Sequence, residues 1–228
     1  MKIITVAGPP SSGKTSVILR ALEGLTAKGL KPGLVKFDCL SCEDEKRYAE
    51  AGILVKTGLA GGLCPDHFFI TNIEDCVQWG IRSGLDMLIS ESAGLCNRCS
   101  PHIRDVLSIC VIDNLSGVNT PRKIGPMLKT ADVVVITKGD IVSQAEREVF
   151  LFRVKQVNPK AAVIPVNGLT GQGVLLLSRR LETALDWETL DKMKLRFSMP
   201  AALCSYCLGE TRIGKDSQVG NIKMMDWS

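Results

Sequence analysis

Short apolar runs alternate with segments of helical spacing over most of the chain. Lys2–Ala7, Gly33–Phe37, Ile53–Lys56, Met87–Ser90, Leu107–Asp113, Val133–Thr137 and Val163–Val166 are brief and mostly apolar. Those from Met87 onward carry the β-branched content of strands buried on both faces. Between the runs, Ser16–Lys28 sets Val17, Leu19, Leu22 and Leu25 on or near one helical face. Glu43–Ala51, Asp66–Ser83, Arg122–Lys129, Gln144–Gln156 and Val174–Leu185 also read as helices. This alternation predicts an α/β fold, a mostly parallel sheet covered by helices on both faces.

The alternation fades near Leu195. Residues 1–195 read as the main domain. Residues 196–228 are rich in glycine and polar side chains and read as an appendage, a cysteine turn followed by one or two short strands. A segment this short cannot bury a core of its own, so it must dock or hold a metal. The whole chain of 228 residues is ample for one sizeable core. Aromatic residues make up 5% and the net charge is +4 without a basic stripe, which argues against nucleic acid as a partner. The N-terminal run stops at Gly8-Pro9 and resembles no signal peptide, and no stretch is long enough for a membrane span. A cytoplasmic protein is expected.

Gly8 to Thr15, GPPSSGKT, has the spacing Gly-x4-Gly-Lys-Thr between a predicted strand and a predicted helix. That is the context of a phosphate-binding P-loop. Gly8 and Gly13 allow the turn that points N–H groups inward, and the helix start adds positive potential. Lys14 reaches the β- and γ-phosphates, and Thr15 ligands Mg²⁺. Ser11, Ser12 and Ser16 belong to the same cradle. Asp38, at the end of the second strand, is a candidate Mg²⁺ ligand or water-positioning carboxylate, with Asp44 as its backup. Glu91 is a candidate Mg²⁺ partner through water, and the Gly94 N–H a candidate γ-phosphate donor. Thr137-Lys138-Gly139-Asp140 follows a β-branched strand. An aspartate there accepts from N1–H and N2–H₂ of guanine, a pair that adenine lacks, and the Lys138 stem lies along the base. Asn167 and Gly168 supply a second loop, with the Gly168 N–H facing the guanine O6. GTP and Mg²⁺ are the expected ligands.

Six of the nine cysteines form three Cys-x-x-Cys pairs, Cys39/Cys42, Cys96/Cys99 and Cys204/Cys207. In a reducing compartment these point to metal rather than to disulfides. One pair is half of a tetrahedral thiolate site, so closing a site takes two pairs, within one chain or across a dimer axis. Four thiolates suit Zn²⁺ or an iron–sulfur cluster, and mixed Cys/His suits Zn²⁺ or Ni²⁺. The first two pairs follow Asp38 and Glu91-x-x-Gly94, the positions of loops that reorder when a γ-phosphate is lost. Their loop placement argues against burial. Cys76 and Cys110 lie in apolar segments and read as core. His102 reads equally as a ligand, a cap or an exposed residue.

The chain resembles the SIMIBI-class metallochaperone GTPases that include the hydrogenase and urease nickel-insertion accessory proteins. The resemblance runs from about Lys2 to Leu185 and rests on GPPSSGKTS, VKTGLAGGLCPDH, ESAGLC, GVNTPRKIGPMLKTADVVVITKGD and NPKAAVIPVNGLTGQG. It implies GTP hydrolysis, nucleotide-dependent homodimerisation and transfer of a metal to a client enzyme. It maps the metal-binding Cys–His element of those proteins onto Cys64 and His67, and more loosely onto Cys96. Thr137 stands where the family has asparagine, and the Cys39/Cys42 and Cys204/Cys207 pairs are not family features. Three other readings stay open: an ATP-dependent iron–sulfur electron donor of the nitrogenase iron-protein type, a P-loop small-molecule kinase or ligase, and a non-hydrolysing adaptor.

Overall fold

The structure is a computed structural model and describes residues 1–40, 44–93, 96, 98–197, 210–218 and 222–227. Cys42, Gly94, Cys204 and Cys207 lie outside the described residues. Seven strands, β1 (Lys2–Ala7), β2 (Pro32–Asp38), β3 (Leu54–Leu59), β4 (Met87–Ser92), β5 (Leu107–Asp113), β6 (Val133–Thr137) and β7 (Ala162–Pro165), form one sheet in the order β3-β2-β4-β1-β5-β6-β7. Every pairing is parallel. The connections carry α1 (Lys14–Thr26), α2 (Asp44–Glu50), α3 (Pro65–Arg82), α4 (Thr120–Lys123), α5 (Pro126–Lys129), α6 (Gln144–Val157) and α7 (Val174–Glu182).

Successive side chains of a strand point to opposite faces, and the core divides accordingly. Ile4 and Val6 of β1 join Leu34, Ile89, Val111 and Val135 beneath α1 and α7, where Val17, Leu22 and Leu177 pack. Ile3, Val35, Phe37 and Leu88 face the other way, against Phe69, Ile70 and Ile73 of α3. Ala7, Cys110, Ile112, Val134 and Ile136 meet Met127, Phe150 and Val154 on the α4–α6 side. Cys76 and Cys110 are fully buried in these clusters. The central strands β1, β4, β5 and β6 are buried along nearly their whole length, which is why they read as unbroken apolar runs.

The helix expected over 122–129 is two short helices. Gly125 is held at φ 62°, ψ −130° immediately before Pro126, a position that disfavours helical angles. The described part of the C-terminal segment packs on α3: Ile213 and Met225 join its core cluster, and the Met225 N–H donates to Asn72 Oδ1 at 2.8 Å. In place of the short strands expected there, the described residues form an isolated bridge, Lys194 to Arg212. The Arg196 guanidinium anchors the approach to this segment. It binds Asp132 through both nitrogens at 2.8 and 2.7 Å and also donates to the carbonyls of Ile103, Val106 and Thr130.

His102 is buried and sits between sheet and α5. Its Nε2–H donates to the Met127 carbonyl at 3.0 Å, so in the neutral ring Nδ1 accepts from the Thr5 hydroxyl at 3.1 Å. Burial pushes its pKa down to about 3, with Arg196 adding to the effect. This corrects the reading of His102 as a ligand, a cap or an exposed residue: it is a core residue, since both ring nitrogens are used inside the protein. The unfolded chain binds a proton near pH 6.5 that the folded ring refuses, so this group contributes stability at neutral pH that is lost as pH falls. Between pH 6 and 4, the native protein should lose on the order of 1 kcal/mol per pH unit relative to a His102→Gln variant, measured by urea unfolding.

Candidate nucleotide and metal site

All strands being parallel, their C-terminal ends share one edge, and β2, β4 and β1 are neighbours there. β1 ends at Ala7 and the chain turns into α1. Gly8 has φ 153°, and a Cβ on it would lie 2.0 Å from the Val111 carbonyl oxygen, so only glycine fits. Gly13 caps α1 in the left-handed conformation, φ 87°. The first N–H groups of α1 thus open toward the loop, a ready anion site. Lys14 is buried across this loop, with Nζ donating to the carbonyls of Gly8 and Pro9, both at 2.9 Å. Burial lowers its pKa, and Glu91 opposes the shift.

Beside the loop, a cavity of about 370 Å³ is lined by Ser11, Lys14, Thr15, Lys36, Asp38 and Glu91 among others. The Thr15 hydroxyl lies 3.0 Å from Asp44 Oδ2 and 3.2 Å from Glu91 Oε1. A hydroxyl and two carboxylates converging on one point are the hard oxygen donors that Mg²⁺ takes. Asp44, the backup in the sequence reading, stands at Thr15. Asp38 lines the same cavity while its Oδ1 accepts the Cys39 N–H at 2.8 Å. Lys36 Nζ bridges the two carboxylates, bonded to Asp44 Oδ2 and 3.4 Å from Glu91 Oε1. Burial pushes Asp44 up, but the hydrogen bond and charge of Lys36 outweigh it and hold the carboxyl below its ordinary range. Tyr48 completes the arrangement, donating to Glu91 Oε2 at 3.0 Å.

The segment expected to read the base starts inside the protein. Thr137 is buried, and its hydroxyl donates to the Ser12 carbonyl at 2.6 Å. It braces the phosphate loop, and its hydroxyl is spent on backbone carbonyls. Lys138, in the left-handed region at φ 56°, reaches back to the Ser11 carbonyl at 2.7 Å. Asp140 and Asn167 line a cavity of about 630 Å³ with Asn114, Arg147 and Gln172. Asn167 Oδ1 accepts the N–H groups of Leu169 and Thr170, which shapes its own loop. Gly168 lies against α1, where a Cβ would come within 3.0 Å of Ser16 Cβ.

The cysteines form a second centre next to the first. Cys96 and Cys99 have their sulfurs 3.7 Å apart, and the Arg98 N–H points at Cys96 Sγ at 3.4 Å. Contrary to the loop reading, Cys99 is 2% exposed, because it joins the apolar cluster that holds Phe69, Ile70 and Ile73 of α3. Asp66, on the first turn of α3, brings a carboxylate oxygen within 4.8 Å of both sulfurs. Cys64 caps α3 and is half-buried, and His67 is buried on its first turn. Among the described residues, the mutually close donors are Asp66, Cys96 and Cys99, without Cys64 or His67. Cys39 is near enough that burial first, then the charges of Asp38, Cys64 and Asp66, push its thiol up. Lys36, Tyr48 and Asp66 were missed in the sequence. Lys36 carried a signal: a lysine inside an apolar strand needs a buried counter-charge.

Residues 2–165 match the CobW/HypB/UreG nucleotide-binding domain. The chain is 48% identical to an uncharacterized protein of Methanocaldococcus jannaschii, over 99% of this chain and 97% of that protein. It is 32% identical to the urease accessory protein UreG of Yersinia pestis, over 75% of this chain and 84% of that protein. The crystal structure of HypB from Helicobacter pylori in complex with nickel shares the fold, with a TM-score of 0.64 at 20% identity over 80% of this chain and 86% of that one. The hydrogenase maturation factor HypB of Archaeoglobus fulgidus does so with a TM-score of 0.63 at 22% identity, over 80% of this chain and 89% of that one. The chain therefore belongs to the CobW/HypB/UreG family of nucleotide-binding proteins.

Proposed function

We propose that the protein is a GTP-hydrolysing switch that couples nucleotide state to the binding and delivery of a transition metal to a client metalloenzyme. The observation that carries this reading is a single peptide link. Asp38 lines the phosphate cavity, and the next residue, Cys39, whose N–H it holds, borders the sulfur centre. Glu91 and Cys96 stand five residues apart on the other side. Rearrangement around the terminal phosphate is thus passed to sulfur with little slack.

In this reading the phosphates lie along the N–H groups that open α1. Lys14 moves from the loop carbonyls to the β- and γ-oxygens. Thr15, with Asp44 and Glu91, holds Mg²⁺, which supplies charge neutralisation of the phosphates. Asp38 orients the attacking water. Asp140 reads guanine. A kindred protein, HypB of H. pylori, is crystallised with nickel, and another, UreG, is named for the urease it serves. Both support a transition-metal cargo and a metalloenzyme client; the working form in this reading is a homodimer.

Lys14→Ala should lower the rate of phosphate release on the order of 10²-fold, read by a coupled phosphate assay. Asp140→Asn should move base preference from guanine toward xanthine by at least about tenfold, read by competition of GTP with XTP. Coupling itself is tested by metal titration in the presence of GDP and of a non-hydrolysable GTP analogue. The affinities should differ by about 5-fold or more, and equal affinities in both nucleotides would sink the switch.

A further inference from the structure

We infer that Lys36 is a resident cation of the phosphate cavity: its ammonium uses the carboxylate oxygens that Mg²⁺ needs, so the cavity admits the divalent ion only together with nucleotide phosphate. The inference rests on the nucleotide half of the proposed function and is independent of the sulfur centre.

Three observations carry it. The first is a coincidence of contacts. The Thr15 hydroxyl meets Asp44 Oδ2 at 3.0 Å and Glu91 Oε1 at 3.2 Å. Lys36 Nζ meets the same two oxygens, bonded to the first and 3.4 Å from the second. A divalent ion held by that hydroxyl and those carboxylates, directly or through its waters, takes the lone pairs that the ammonium is using. The lysine and the ion therefore compete for one place.

The second is the charge of the lining. Among the described residues, Lys14, Lys36 and Arg47 stand against Asp38, Asp44 and Glu91 around this cavity, three cations and three carboxylates. The protein thus balances the cavity with its own side chains. Mg²⁺ by itself would add two uncompensated positive charges next to Glu91 and Lys36, which are 1% and 6% exposed. Such charges are costly where water is excluded, and phosphate arriving with the ion removes the excess.

The third is the tether. Lys36 lies within β2, opposite Thr57 of β3 on one side and Glu91 of β4 on the other. Its backbone is fixed by both neighbours, so only the side chain turns when the carboxylates are given up, and the ammonium stays in the cavity. Lys14 is near enough for the two charges to repel. The displaced ammonium needs an anion in the same small region, and nucleotide phosphate is that anion. A lysine suits this exchange because it is a compact charge on a flexible stem.

The nucleotide-free, full-length protein is titrated with Mn²⁺, and the free ion is counted by its electron paramagnetic resonance signal. Binding at this cavity is the part that Thr15→Val removes. In the native protein that part should be weak alone or with guanosine, and at least about tenfold tighter with a non-hydrolysable GTP analogue. Lys36→Met should bind Mn²⁺ without nucleotide at least about tenfold more tightly than the native protein, because two buried carboxylates have lost their cation. Mn²⁺ alone should then raise the melting temperature of Lys36→Met and leave that of the native protein in place. Lys36→Gln, which removes the charge and keeps a hydrogen-bond donor, should behave in the same way if Lys36→Met is too unstable to purify. Lys36→Arg keeps the charge and should exclude Mn²⁺ as the native protein does. Equal Mn²⁺ affinity in the native protein and the uncharged variant, or a Lys36→Arg protein that takes Mn²⁺ as readily as the uncharged one, would overturn the role. If the uncharged variant gains Mn²⁺ but the native protein releases no phosphate from GTP, the hydrolytic switch falls and Lys36 keeps its role. If the native protein hydrolyses GTP while removal of the Lys36 charge leaves Mn²⁺ binding unchanged, the reverse holds.

Discussion

Glu91 is 1% exposed, and a carboxylate that deep is tolerable only among donors. It has three: the Thr15 hydroxyl from α1, Lys36 from β2 and the Tyr48 hydroxyl from α2. Each comes from a different element, so satisfying one buried charge ties the phosphate-loop helix, a strand and the helix after the first cysteine loop to the end of β4. Register makes this possible. Lys36 and Glu91 are paired across β2 and β4, and Glu91 pairs with Val6 of β1 on the other side. A sheet order that separated β4 from either neighbour would leave Glu91 buried without these partners.

The same constraint sets the relation between the two centres. The strands that end at the phosphate cavity continue directly into the segments that bear sulfur, Cys39 after β2 and Cys96 after β4. Helix α3 then closes the arrangement from the opposite face. Its first turn carries Asp66 to the sulfurs while Phe69, Ile70 and Ile73 hold the helix on the sheet. The hydrophobic face of α3 is therefore what fixes the sulfur centre in place, and the described C-terminal residues reinforce it through Met225 and Ile213. Charge at the phosphate end and apolar burial at the sulfur end thus position neighbouring chemistry by different forces.

Much of this was legible in the chain. Unbroken β-branched runs marked the central strands because both faces of the sheet are buried. Gly8, Gly13, Lys14 and Thr15 announced the phosphate loop because that turn tolerates few other residues. The edge strands and the 122–129 region were less legible. β3 and β7 are half exposed and carry a weaker pattern, and a helical spacing over 122–129 does not reveal the backbone break that Gly125 and Pro126 impose.

Long-range partnerships were beyond reading. Thr137 opens the segment that carries Lys138 and Asp140, yet its hydroxyl turns inward to Ser12, 125 positions away in the chain. Asp66 looked like a polar residue opening a helix, and only the tertiary structure sets it beside Cys96 and Cys99. Local sequence determined the elements, the phosphate loop and the abundance of thiols, because those depend on neighbours in the chain. Which carboxylate meets Thr15, which lysine sits among the carboxylates and which oxygen joins the sulfurs were decided by the tertiary structure, because a buried charge is placed by whatever distant elements close around it.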